Sequence, residues 1–146
     1  GSGHKGSRAA MREWVDALKA KPARSTTKAD QYQIRVAGDK TYEAVGGGSK
    51  VEADGVSIEA TALLEAKFVD QPGRSPFVDD SACPSYVREN VVKQTTDEFR
   101  RYADVLRDPT VPAKELQVIV SNEAAVPFFE GLMSSLSIPG KVKVVP

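Results

Sequence analysis

The segment that most constrains this chain is Leu63-Leu64-Glu65-Ala66-Lys67-Phe68-Val69, an apolar run carrying two opposite charges. A short apolar run of this kind reads as a buried strand. Charges inside such a strand are costly unless they are paired or bound to an ion. The fold must therefore bring partners to Glu65 and Lys67. Asp54, upstream of Glu65, offers one. A hairpin turn centred between Glu59 and Ala60 sets Asp54 opposite Glu65, at about 5 Å across neighbouring strands. Lys67, two residues beyond Glu65, shares that face.

Composition narrows the chemistry. The chain has 146 residues, enough for one domain with a real core. Its formal net charge is zero, although residues 1–30 hold seven Lys and Arg against three Asp and Glu. There is one cysteine, Cys83, and one histidine, His4. No intramolecular disulfide or cysteine-rich zinc site can form. Ser-His-Asp and Cys-His catalysis, histidine-metal nucleases and zinc deaminases are excluded. Any chemistry must run on carboxylates, amines, guanidinium, hydroxyls and a bound ion. No apolar stretch is long enough to span a membrane, so none is expected to.

Periodicity predicts an order α-β-β-β-α-β-α-β after an amino-terminal helix. Gly1 to Ser7 is polar and reads as a cloning remnant. Met11, Trp14, Val15 and Leu18 give Arg8 to Ala20 a helical face. Residues 1–28 are expected to be remnant and linker helix, and 29–146 the domain. A short helix is expected from Thr27 to Ala37, although Tyr32, Ile34 and Val36 also alternate like a strand. Three strands follow, Thr41 to Val45, Lys50 to Ile58 bent at Gly55, and Ala62 to Val69, as an antiparallel meander. Asp70 to Pro84 reads as a long surface loop. Tyr86 to Arg107 is the longest helix, with Val91, Val92, Thr95, Phe99, Tyr102 and Leu106 as its apolar stripe. A strand at Leu116 to Val120, a helix at Glu123 to Leu136 capped by Asn122, and a strand at Val142 to Val145 complete the chain.

Two carboxylates and a lysine on one face suit a particular chemistry. Asp54 and Glu65, with the Ala66 carbonyl as a further oxygen, are the candidate ligands of Mg²⁺ or Mn²⁺. Such an ion polarises a phosphodiester and activates water. Lys67 can then oppose the negative charge that develops on phosphorus. On the long helix, Gln94, Glu98 and Arg101 form a polar stripe. Arg101 is a candidate phosphate ligand, and Gln94 a candidate for orienting water. Glu98 also reads as a solvated partner of Arg101 or Tyr102. Glu43 is a candidate third carboxylate. Gln33 and Glu52 compete for that role, and charges on edge strands are common without any function.

Several of these segments together resemble a known family. Tyr32-Gln33, Val36-Ala37-Gly38, Tyr42-Glu43, Asp54-Gly55-Val56, Leu64-Glu65-Ala66-Lys67, Ser75-Pro76-Phe77 and Glu98-Phe99-Arg100-Arg101-Tyr102 resemble the restriction-endonuclease-fold toxin domains of bacterial polymorphic toxins. The resemblance runs from about Asp30 to the carboxyl terminus. It implies an α/β (α+β) fold: a restriction-endonuclease-like core with a mixed central sheet flanked by helices. It implies the PD-(D/E)xK nuclease chemistry, with Asp54 and Glu65 as metal carboxylates and Lys67 as the catalytic lysine. Gln94 and Arg101 would be helix-borne auxiliary residues, and Glu43 or Gln33 the upstream one. Ala53 stands where the pattern's proline would. The resemblance further implies a carboxy-terminal effector domain of a larger secreted or injected toxin. It would hydrolyse nucleic acid, foremost DNA, in the target-cell cytoplasm, and a cognate immunity protein would protect the producing cell.

Two other classes compete with this reading. A non-catalytic nucleic-acid- or protein-binding module on a nuclease-like core fits the neutral charge. An enzyme acting on a small phosphate ester would want a glycine-rich loop opening a helix, whereas Gly46-Gly47-Gly48 leads into a strand.

Overall fold

Two sheets meet at Asp54 in the computed structural model, which describes residues 5–146. Gly1 to His4 of the expected remnant lie outside the described residues. The first sheet has the order β1-β2-β3 and the second β4-β5-β6-β7.

Helix α1 (Arg8–Asp16) starts where the Ser7 hydroxyl accepts a hydrogen bond from the Ala10 N–H. Met11 and Val15, one turn apart, are buried in the main core. Strand β1 (Ala20–Pro22) then pairs antiparallel with β2 (Lys40–Gly46). Residues 8–22 are thus packed on the same body that residues 28 onward build. Strand β1 was not expected, because three exposed residues carry no periodicity to read.

Helix α2 (Lys28–Ala37) settles the ambiguity at Tyr32 in favour of a helix. Its Thr27 cap explains why: the Thr27 hydroxyl takes the Asp30 N–H, and the Asp30 carboxylate takes the Thr27 N–H. Strand β2 turns into β3 (Ser49–Ala53) through Gly47-Gly48, both with positive φ, as a two-residue hairpin demands.

The expected single strand from Lys50 to Ile58 is two strands. After β3 the chain bends at Asp54 and continues as β4 (Gly55–Ser57), which pairs antiparallel with β5 (Ala62–Lys67) in the other sheet. The three-stranded meander is therefore replaced by a strand that switches sheets. From α2 onward the expected element order otherwise stands. Strand β5 also pairs parallel with β6 (Glu115–Val120), and β6 parallel with β7 (Gly140–Val144). Both parallel connections run through helices, α3 (Ser85–Arg107) and α4 (Val126–Ser135), as parallel pairing requires.

Helices α3 and α4 cover one face of the second sheet. Phe99, Tyr102, Leu63, Leu116, Val118 and Phe129 lie in the core between them. The other face receives α2, where Tyr32 packs with Leu64 and Ile119. Strand β5 lies between β4 and β6 with a helix layer on each face. No helix among the described residues is long and apolar enough to cross a membrane.

Candidate active site

Asp54 occupies the single residue between β3 and β4. Gly55 pairs with Leu64 and Ser57 with Ala62, which centres the turn between Glu59 and Ala60. The ladder ends at Gly55. Beyond it the Asp54 N–H donates to the Leu64 carbonyl at 3.0 Å, and Asp54 Oδ2 accepts the Ala66 N–H at 2.8 Å. The side chain thus satisfies a strand N–H that the short β4 backbone does not reach. Gly55 permits the close approach of α2, since a Cβ there would strike the Ala37 carbonyl.

On β5, residues 63, 65 and 67 alternate onto the face covered by α3. Glu65 is 3 % exposed. Its Oε1 accepts the Tyr102 hydroxyl at 2.6 Å, and its Oε2 meets Lys67 Nζ at 3.0 Å. Lys67 Nζ also reaches Glu98 Oε1 at 3.2 Å. Glu98 and Tyr102 are four residues apart on α3, so one helix face supplies both partners. A central strand tolerates Glu65 because both its oxygens are satisfied.

The charges do not balance. Three acids, Asp54, Glu65 and Glu98, share the single ammonium of Lys67. Burial, and then repulsion from Glu65, pushes the Asp54 carboxyl up to about 8. The same two causes raise Glu98 to about 7, against the pull of Lys67. Burial alone would lower Lys67, but Glu65 and Glu98 outweigh it and hold the ammonium above its ordinary value. Burial and the Glu65 charge raise the Tyr102 hydroxyl, which stays a neutral donor. Fully ionised, the cluster would carry surplus buried negative charge; the raised carboxyls hold protons instead, and a bound cation would take the place of those protons. Its donors are all oxygens, the preference of hard dications. Among the described residues, no group of three or more His, Cys, Asp or Glu side chains is arranged to hold a metal ion.

Of the residues singled out from the sequence, Asp54, Glu65, Ala66 and Lys67 come together. Three others do not join them. Glu43 pairs with Lys50 at 3.3 Å on the outer face of the first sheet. Gln94 is exposed. Arg101 is exposed and donates long hydrogen bonds to the backbone carbonyls of Asp97 and Lys50, at 3.5 and 3.4 Å. Glu52 pairs with Lys21 at 3.1 Å and accepts the Thr41 hydroxyl. Gln33 lines a cavity of about 320 Å³ together with Asp54, Glu52, Lys21 and Arg24. Sequence reasoning passed over Glu98 and Tyr102 as site residues. The signal was present: Thr95, Glu98, Phe99 and Tyr102 share the inner stripe of α3, so Glu98 faces inward while Gln94 and Arg101 flank it.

No curated protein and no solved structure matches the chain. A family model described as restriction endonuclease fold toxin 2 matches residues 28–139, from the start of α2 to the turn before β7. That span holds the sheet junction, β5 and α3. With its mixed sheet between helices and its acid-lysine cluster at the strand switch, the chain belongs to the restriction endonuclease fold toxin 2 family.

Proposed function

We propose that this protein is a metal-dependent nuclease toxin that hydrolyses phosphodiester bonds of nucleic acid, with DNA as its substrate. The observation that carries the reading is the meeting of Asp54, Glu65 and Lys67 at the junction of the two sheets. Asp54 and Glu65, with the Ala66 carbonyl, would hold Mg²⁺ or Mn²⁺. When bound, such an ion supplies Lewis-acid polarisation of the phosphodiester and an acidified water.

The chain's own residues have separate tasks. Lys67 keeps its proton and presents a fixed positive charge to the phosphoryl oxygens as negative charge grows there. Glu98 holds Lys67 from the helix side and sets where its ammonium points. Tyr102 fixes one oxygen of Glu65 and so orients that carboxylate. The buried walls around β5 limit the water that can screen these charges. In biological context we read the protein as the effector domain of a larger toxin, acting in the target-cell cytoplasm and matched by an immunity protein.

Incubation of purified protein with plasmid DNA and with RNA, in Mg²⁺ and in excess chelator, tests this. Cleavage of plasmid that stops with chelator is expected. Glu65→Gln and Lys67→Ala, each checked for a folded far-ultraviolet spectrum, should reduce cleavage at least a hundredfold. Intact plasmid and intact RNA under all conditions would refute the nuclease reading and favour a binding module. Cleavage of RNA alone would correct the substrate.

A further inference from the structure

The outer face of the first sheet leads straight to Asp54. Strand alternation puts Lys21, Thr41, Glu43, Lys50 and Glu52 on that face, with Lys19 just before β1 and Asp54 at the bend just after β3, while Ala44, Val51 and Ala53 turn inward to the core. Two cavities lie along it. One, of about 520 Å³, is lined by Lys19, Lys50 and Arg101 beside Glu43 and Glu52. The other is the 320 Å³ cavity that reaches Asp54. They share Lys21, Thr41 and Glu52, whose bonded side chains form the wall between them, and so adjoin as two halves of one cleft.

The cleft's cations fall into two groups. Lys50 and Lys21 are tied to Glu43 and Glu52. Lys19 and Arg24 have no ion pair among the described residues, and Arg101 holds only long bonds to backbone carbonyls. The cations without an ion pair stand at both ends of the path, Lys19 and Arg101 at the far end and Arg24, near Asp30 and Glu52, in the cavity that reaches Asp54. A ligand bearing several negative charges along its length would meet a cation at each end of this path. Phosphates along a nucleic-acid strand are such charges.

We infer that this cleft is the track for the sugar-phosphate backbone of the strand being cut, with Lys19, Arg24 and Arg101 as phosphate contacts. Glu43 and Glu52 act as brakes on it, each holding a lysine away from phosphate. The inference rests on the nuclease reading and assigns that site its substrate path. It also gives Glu43 and Arg101 roles away from the reacting atoms.

The test is binding, separated from cleavage. Fluorescently labelled single- and double-stranded oligonucleotides are titrated with protein in chelator over a range of salt. The double variant Lys19→Ala/Arg101→Ala should raise Kd about tenfold, and lower the slope of log Kd against log salt by about 1.4 for a single strand. Lys143→Ala, exposed on the far edge strand β7, should change neither. Glu43→Gln frees Lys50 and should tighten binding about threefold, a gain that misfolding cannot mimic. Cleavage by the wild-type protein with Kd and slope unmoved by the double variant overturns the track and leaves the nuclease reading standing. Weaker binding by Glu43→Gln overturns its braking role. A wild-type protein that neither binds nor cuts either oligonucleotide overturns both.

Discussion

Replacing Asp54 by Asn should make the metal-free protein more stable while removing its activity. In the fold, burial and the Glu65 charge raise the Asp54 carboxyl from 3.8 to about 8. A folded value above the unfolded one means that the ionised form opposes folding. The penalty is absent below pH 3.8, grows as pH rises toward 8, and is complete above it. At about 1.4 kcal/mol per pH unit its ceiling is about 6 kcal/mol. Asn removes the charge and keeps an oxygen that can accept the Ala66 N–H, but its amide must also find a partner in the cluster. A net gain of about 2–3 kcal/mol remains once that amide is desolvated. For a chain of this size the gain raises the melting temperature by roughly 5–10 °C. Thermal and urea unfolding of both proteins in chelator, from pH 4 to pH 9, would measure it. Near pH 4 the variant should be the weaker by about 3 kcal/mol, the cost of its amide, and the two curves should cross at roughly pH 6–7, the wild-type protein falling below the variant above that. Saturating Mg²⁺ should narrow the gap, because an ion bound to the native state alone adds stability. A variant equal to or weaker than wild type at pH 9 in chelator would refute the surplus of buried charge on which the metal reading stands.

Other perturbations probe the same cluster. Lys67→Met leaves Glu65 and Glu98 without their shared cation and should cost about 3–5 kcal/mol at pH 8, with the Glu98 share regained at pH 5 as Glu98 protonates; melts at the two pH values check this. Tyr102→Phe removes a buried hydrogen bond to a carboxylate and should cost about 1.5–3 kcal/mol by urea unfolding, with cleavage reduced because Glu65 loses its orientation. Gly55→Ala drives a Cβ into the Ala37 carbonyl and should cost about 1–3 kcal/mol as α2 is displaced; faster amide exchange in α2 would report the displacement.

The site was legible where local pattern and chemistry coincided. A charged pair in an apolar run announced a strand that needed partners, and period-two alternation put Glu65 and Lys67 on one face. A turn centred between Glu59 and Ala60 was the condition for Asp54 to face Glu65, and the pairing of Gly55 with Leu64 meets it. The break at Asp54 was not legible, because a strand that bends and a strand that changes sheets have the same sequence signature. Strand β1 was hidden for another reason: its three residues are exposed and take their conformation from pairing with β2 alone.

The sequence by itself determined the residue chemistry. With one histidine and one cysteine it restricted the site to oxygen and amine groups, and the pattern around Glu65 told which strand would carry them. Only the tertiary structure decided who their partners are. The rotation of α3 brings Glu98 and Tyr102 inward and leaves Gln94 and Arg101 outside, and the crossing of Asp54 between sheets turns an outer strand face into a path to the cluster. The apolar stripe of α3 marks which side turns inward, but the strand residues that side meets and the switch between sheets are set by packing contacts between residues far apart in the chain.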